Sequence, residues 1–487
     1  MKTHVAALLL PVATIVLAGC MVGPKYAKPS TPTAPAFKEQ TTLSTEAKEG
    51  WRPAQPNDQT LRGNWWEIYD DPRLNALEAQ IDSANQTLKT AEANYREARS
   101  AIRFNRSAEA PTIGVSPSIS TVRDSANQPY FPSGLANNGT GDFILPVDLS
   151  WEIDLWGRIR RSVTAAKEQT QASAADMAAA RLSLQAELAF DYFELRSADA
   201  EKKLLDDTVQ AYSRALGLTK SRFDGGAAPK SDVAQARTQL KDAQVLDTDI
   251  MVQRAEFEHA IAILVGKPPA NFSLPPIPID LQTPAIPPIP GVLPSELLER
   301  RPDIAASERR VAAANEQIGI AQAAYYPTLN LGALAGFDGT SASNWFNWPS
   351  RFWAVGPSLS ETLFDAGRRR ATKESAIAAY DGNVASYRQT TLTAFQQVED
   401  NLVVLRILAG ESQQQHDATA AAEETVRLFM NRYAGGVDTY LQVVTSQTTA
   451  LSNEQNDIDI RRRQLDAGVL LIKALGGGWD TSQLPRL

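Results

Sequence analysis

One cysteine in 487 residues is the most restrictive absence in this chain. A lone Cys20 leaves no disulfide to form within the chain and no thiolate cluster to hold zinc. Histidine is nearly as scarce. His4 sits at the N-terminus, and His259 and His416 have no second His or Cys at ligand spacing, so no metal site is expected. Charge of one sign is lacking too. Lys and Arg number 48 against 56 Asp and Glu, which leaves no basic footprint for nucleic acid. The one basic cluster, Arg461-Arg462-Arg463, reads as a solvated helix face or the wall of a tube. No stretch approaches the ~18–20 apolar residues of a transmembrane helix.

Catalytic constellations are missing as well. Gly225-Gly226-Ala227-Ala228-Pro229-Lys230-Ser231 has the look of a phosphate loop, but Pro229 stands where the glycine before the lysine is required, and a helix precedes it. Gly476-Gly477-Gly478 ends a helix. No catalytic residue is assigned, no enzyme is predicted, and no cofactor is implied.

What is present begins at the N-terminus. Lys2 and His4 precede an apolar stretch to Leu17, then Ala18-Gly19-Cys20. This predicts a signal peptide over 1–19. Leu17-Ala18-Gly19-Cys20 resembles a bacterial lipobox, which implies a diacylglycerol and an N-acyl chain on Cys20 as the mature N-terminus. Met21 in place of an Asp favours the outer membrane. Residues 20–70 comprise a Pro-, Thr-, Lys- and Glu-rich tether, extended and unpacked to about 60, and an equatorial segment.

The rest of the chain says the same thing twice. Leu149-Ser150 and Gly157-Arg158 recur as Leu359-Ser360 and Gly367-Arg368. Arg222-Phe223 with Gly225-Gly226 recurs as Arg432-Tyr433 with Gly435-Gly436, and Gly266 recurs as Gly476, all at an offset of 210. So rigid a spacing points to a built object such as a barrel or tube. The first repeat is assigned to 71–265: a helix from Asp71-Pro72 to Ser107, a β-hairpin over 111–156, and long helices over 158–224 and 230–265. A Pro-rich linker with the stiffness of a polyproline spacer spans 266–293. The second repeat covers 294–475, with a hairpin at 327–364 and helices over 368–434 and 438–475. A tail follows over 476–487.

Phe143, Leu145, Val147, Leu149, Trp151, Ile153 and Leu155 fill every odd position of their strand. Such alternation over ten or so residues fits a transmembrane β-strand, and equally a soluble sandwich strand with one wet face. Pro146 would be awkward in a central strand and predicts a bend. Trp345, Phe346 and Trp348 form either an interfacial aromatic belt or a packed cluster. Arg158 to Leu216 contains neither Pro nor Gly and would reach roughly 90 Å as one helix. Its seam, Ile159, Val163, Ala166, Thr170, Ser173, Met177, Ala180 and Leu184, is rich in small residues that let neighbouring helices approach closely.

Four strands cannot close a membrane barrel, since the smallest common ones have about eight, and an open edge in lipid is forbidden. A trimer resolves this with about 12 strands and as many helical rods. The predicted fold is mainly α with a β-barrel: an internally duplicated protomer in a trimeric 12-stranded outer-membrane barrel continuous with a long helical barrel.

Cys20-Met21-Val22-Gly23-Pro24-Lys25-Tyr26, Trp65-Trp66 with Asp71-Pro72, Arg301-Pro302-Asp303-Ile304, Tyr326-Pro327, Phe364-Asp365-Ala366-Gly367-Arg368, Gly436-Val437-Asp438 and Ala474-Leu475-Gly476-Gly477-Gly478-Trp479 occur in order along the chain. Together they resemble the TolC/OprM outer-membrane efflux lipoproteins, the NodT subgroup. The resemblance implies a homotrimeric channel, lipid-anchored in the outer membrane and extending into the periplasm. It also implies a periplasmic adaptor and an inner-membrane RND-type transporter as partners, and conduction without catalysis. It places the turns with Arg222, Gly225, Gly226 and Asp232, and with Arg432, Tyr433, Gly435 and Gly436, at the periplasmic tip where the adaptor docks. A Leu and an Asp four residues later line the constriction in drug-efflux members. Leu441 matches the Leu, but Thr445 stands where the Asp would be. Asp438 and Asp232 either line the tip or cap helices. A protein-secretion conduit of the same architecture and a coiled-coil lipoprotein without a pore are the rival readings.

Overall fold

The computed structural model describes residues 21–39, 63–123, 125, 139–280 and 297–487. The signal segment, Cys20, much of the tether, most of the loop before Asp142 and the Pro-rich stretch after Asp280 lie outside the described residues.

Helix α1 (Pro72–Ala84) starts at Asp71, whose carboxylate accepts hydrogen bonds from the Arg73 and Leu74 amides, with proline at the first helical position. The sequence predicts one helix to Ser107, but the structure breaks it at Asn85. That residue ends α1 and caps α2 (Gln86–Ser107) through the Leu88 amide. Its Nδ2 donates to Leu264 O at 2.9 Å, so the break is fixed by a contact 179 residues away.

Two very long helices, α3 (Arg158–Asp224) and α6 (Arg368–Ala434), run the length of the helical body. Shorter helices share the space beside them. In one half α2, α3, α5 (Pro302–Ala323) and α6 lie side by side, and in the other half α4 (Lys230–Leu264), α3, α7 (Tyr440–Ala474) and α6 do. Every level of the body is thus four rods wide. α3 is flanked on both sides, which is why its seam is small: Ala165, Thr170, Ala172 and Ala175 are all buried.

The strands form one antiparallel sheet. β1 (Thr112–Val115) and β2 (Ser118–Val122) share a place beside β3 (Thr140–Ile153), followed by β4 (Thr328–Gly339) and β5 (Arg351–Ser360). The first arm of the hairpin predicted over 111–156 is therefore interrupted, at Ser116-Pro117. The reason lies opposite. Pro146 sits mid-way along β3, a strand paired on both sides, and has no amide to offer a ladder. Ser116 still reaches the Pro146 carbonyl at 3.4 Å. On the other flank Gly336 faces Pro146 so closely that a Cβ there would lie 2.1 Å from Leu145 O.

Register sorts the two faces of the sheet, since residues directly opposite share a face. Ile113, Leu149, Ala333 and Val355 line up across all four strand positions, and Val115, Val147, Ala335 and Trp353 form the next row. The opposite face carries Thr112, Ser150, Gly332 and Gly356 in one row and Glu152, Asn330 and Ser358 in another. Among the described residues nothing covers the apolar face: Trp353 is 77% exposed and Leu359 69%.

The N-terminal segment is extended but not unpacked, contrary to its reading as a free tether. Residues 21–39 run along α3, α5 and α6. Val22 donates to Trp156 O, and the Arg161 guanidinium binds Val22 O at 2.7 Å, Pro24 O at 3.2 Å and Glu316 at 2.7 Å. Gly23, at φ +110°, lies so close to α5 that a Cβ would come within 2.6 Å of Gly319 Cα. Further along, Tyr26 Oη donates to Glu308 and Phe37 is buried beside Phe395. The described part of the linker is docked as well. The Ile277 amide donates to Asp199 at 2.8 Å and the Ile279 amide to Arg196 O.

Candidate conduit tip

The two long hairpins end in near-copies of one turn. Gly225 and Gly435 follow the last helical residues of α3 and α6, and Gly226 and Gly436 adopt φ of +73° and +79°. The Ala227 and Val437 amides close the turns on Arg222 O and Arg432 O, the left-handed helix terminator that glycine makes possible.

The side chains break this symmetry. Arg222 leaves its own turn and crosses to the other hairpin. Its Nη1 donates to Ala434 O at 2.9 Å and to Tyr433 O, and its guanidinium carbon lies 4.6 Å from the Tyr433 ring centroid. A cation is thereby placed on the last carbonyls of α6, where the helix dipole is negative. Arg432, at the equivalent position, stays home and grips Asp438 with Nε and Nη2. That contact holds the Asp438 carboxyl below the usual range. The residue equivalent to Asp438 in the first repeat is Ala228, so Arg222 has no local carboxylate at that place.

Neither Asp438 nor Asp232 caps a helix. The N-cap residues of α4 and α7 are Pro229 and Thr439, and neither makes a side-chain cap bond. Asp438 is instead the partner of Arg432, and Asp232 lies in the first turn of α4. Beneath the turns Tyr433 and Tyr440 are buried ring against ring, centroids 5.1 Å apart, with Val443 and Ala236. Burial pushes the Tyr440 phenol up to about 12.

Leu441 is 55% exposed and Thr445, one turn later, is exposed with its hydroxyl donating back to Leu441 O at 3.0 Å. Thr449 repeats the pattern, donating to Thr445 O, and Ser452 and Asn456 continue the exposed row along α7. This row carries no charge. Its one large apolar member stands at the tip.

Sequence reasoning missed the Arg222 crossing and the interior role of Arg462. Arg462 is not part of a solvated face: it binds Glu194, Asp459 and Asp466 between α3 and α7. The signal for the tip was available in the alignment of the two copies, where Asp438 meets Ala228.

The sequence profile of the family described as outer membrane efflux protein matches residues 77–267 and 293–477, most of the chain and both repeats. The chain belongs to the outer membrane efflux protein family. It is 33% identical over 481 residues to the probable efflux pump outer membrane protein SepC of Pseudomonas putida, covering 99% of this chain and 98% of that one. It is 30% identical over 477 residues to the outer membrane protein OprJ of Pseudomonas aeruginosa, with 98% and 96% covered. Among solved structures, the outer-membrane channel OprN superposes with a TM-score of 0.84 at 28% identity, over 94% of this chain and 100% of that chain. The open state of the MtrE outer membrane channel of Neisseria gonorrhoeae gives 0.79 at 25% identity, over 94% and 98%. As a member of an outer-membrane efflux family, the chain acts at the outer membrane in transport, and the family is one of channel and transporter components rather than an enzyme family.

Proposed function

We propose that three copies of this chain close into one outer-membrane conduit, the terminal channel of a tripartite efflux pump. The observation that carries this reading is the sheet: among the described residues one face is apolar and uncovered, the other mostly small and polar apart from Ile144, Leu334 and Phe352, and both edges are unpaired. Lipid covers such an apolar face, while open edges are excluded from lipid, so β5 of one copy must pair with the β1/β2 edge of the next. Three copies supply the 12 strands of a barrel and continue the four-rod wall into a helical tube.

In this reading small molecules pass without chemical change, handed on by a periplasmic adaptor and an inner-membrane transporter of the RND type. The adaptor docks on the turns that hold Arg222, Gly225, Gly226, Asp232, Arg432, Tyr433, Gly435 and Gly436. Leu441 closes the tip, with Thr445 as its polar neighbour and Asp438 engaged by Arg432. Cys20 carries the acyl chains, and the docked strap over 21–39 keeps that end beside the sheet: Val22 bonds to Trp156, just past the end of β3. Several relatives are named for toluene, solvent or antibiotic efflux, which supports small organic cargo here.

The test is outer-membrane fractionation with unheated gel migration and planar-bilayer recording. A heat-sensitive trimer that conducts is expected. A monomer, or a trimer without conductance, would overturn the reading.

A further inference from the structure

Midway along the body the two repeats meet around the Arg462 guanidinium. Arg462 of α7 donates to Glu194 of α3 and to Asp466 of its own helix, at 3.2 Å, through one nitrogen, Nη1. Its other side binds Asp459 at 2.6 Å. Three carboxylates therefore surround one guanidinium. Glu194 is 4% exposed and Asp466 7%, whereas the Asp459 side chain is 47% exposed, so the charge that water screens least lies on Glu194 and Asp466. Asp466 Oδ1 has no hydrogen-bond partner among the described residues.

Arg463 lies 3.8 Å from Asp459 and 3.6 Å from Glu411, and the other neighbours add anions. From α3, Asp191 is also buried, and burial with Glu187 and Glu194 raises it to about 7. From the short helical turn Trp65–Tyr69 comes the Tyr69 hydroxyl, buried and without a hydrogen-bond partner among the described residues, its ring centroid 4.9 Å from that of Phe193. α4 brings only Gln253 and Phe257 to the cavity of about 530 Å³ that Glu194, Asp459 and Arg462 border. A buried cluster with this imbalance is stable only if a carboxyl group is neutral. Asp466 is the member with an unused oxygen.

We propose that Asp466 holds a proton in the folded protein, and that this proton fastens the seam between the two repeats, so that rising pH loosens α3 from α7. Burial and the adjacent Glu194 carboxylate push Asp466 up to about 8, against an ordinary Asp near 4 when the seam opens to water. The sign follows from proton linkage. The closed seam binds a proton that the open seam releases, so closure is fully favoured below about pH 4 and the advantage is gone above about pH 8. In a conduit built from such seams, the middle of the helical wall would stiffen in acid and relax in alkali. The proposal concerns the folded chain and stands whether or not three copies form a pore.

Hydrogen exchange of the full chain in detergent or nanodiscs tests it, followed on peptides covering 183–199 and 458–467. Asp466→Asn keeps a neutral donor at the site and serves as reference at every pH, which cancels the intrinsic exchange rate. The opening constant of wild type relative to Asp466→Asn should rise about ten-fold per pH unit from pH 5 to 7.5 and level off above about 8. A ratio that stays flat from pH 5 to 9 overturns the proposal. Glu194→Gln provides a second reading if Asp466→Asn fails to fold. It removes the anion that, together with burial, raises Asp466, so the plateau should move to lower pH, and a plateau that stays in place also overturns the proposal.

Discussion

Arg222 lies over the Tyr433 ring and donates to its carbonyl oxygen, while Arg432, its counterpart one repeat later, turns back to Asp438. Between the copies Ala228 stands against Asp438, so Arg432 has at that place a carboxylate that Arg222 lacks. A duplicated chain has thus made two tips that share a backbone but not a role.

The first prediction follows from that substitution. Arg222→Ala removes two charge-assisted hydrogen bonds and a cation–π contact, about 2 kcal/mol of coupling between the hairpin ends. Ala228→Asp should do nearly the same without touching Arg222, by giving it a local carboxylate like the one Arg432 has. Arg222→Lys should rescue only in part, since an ammonium cannot fork onto two carbonyls while stacking on the ring. The measurement is disulfide trapping between paired cysteines placed at the two turns, with slower trapping expected in both variants. The Arg432–Asp438 contact has its own pH sign. Asp438 is held below its ordinary range, so the contact persists above the unfolded Asp value and is lost as pH falls through the folded one.

Leu441 is exposed in the single chain, at the tip end of an otherwise polar row. Leu441→Ala should raise leak through the closed channel, read as larger resting conductance in planar bilayers and greater sensitivity of cells to large antibiotics. In the proposed trimer, Thr445→Asp should instead favour cations over anions, because it would put three carboxylates one helical turn inside. Unchanged leak in Leu441→Ala would place the constriction elsewhere.

Glu78 is 1% exposed on α1, and neither carboxylate oxygen has a partner among the described residues. Burial raises it to about 9, so it is neutral at pH 7. A neutral but unsatisfied carboxyl in an apolar setting destabilises by about 1–3 kcal/mol. Glu78→Met should therefore stabilise the chain by an amount of that order at pH 7, measured by denaturant unfolding. The gain should grow with pH, since the wild-type site loses stability from about pH 4 up to its folded value while methionine does not titrate.

Local pattern made much of this fold legible, and long-range contact hid the rest. Odd positions from Phe143 to Leu155 are all apolar, so the apolar side of β3 is visible in a two-residue period. The run without Pro or Gly from Arg158 marks the long helix equally well. The break at Asn85 has no such mark, because it depends on Leu264 O in another helix. The triple arginine looks solvated in sequence, since nothing local shows that Glu194 lies inward of Arg462. The docking of residues 21–39 was hidden in the same way. Gly23 and Gly319 announce flexibility in sequence, whereas in the fold each makes room for the other.

That close approach gives the last prediction. Gly319 lies in α5, and a Cβ there would meet Arg161 Nε at 2.3 Å and Cδ at 2.4 Å. The guanidinium has no room to move, because it is held by Glu316, Val22 O and Pro24 O with only 3% of its side chain exposed. Alanine favours a helix over glycine by about 1 kcal/mol. Displacing one partner of a buried ion pair costs about 3–5 kcal/mol. The second term wins, so Gly319→Ala should destabilise by about 2–4 kcal/mol, and residues 21–39 should become cleavable by protease. Gly410, on α6, has open space around its Cβ position, so Gly410→Ala isolates the helix-propensity term. A strap equally protected in both variants would show that Arg161 does not hold it.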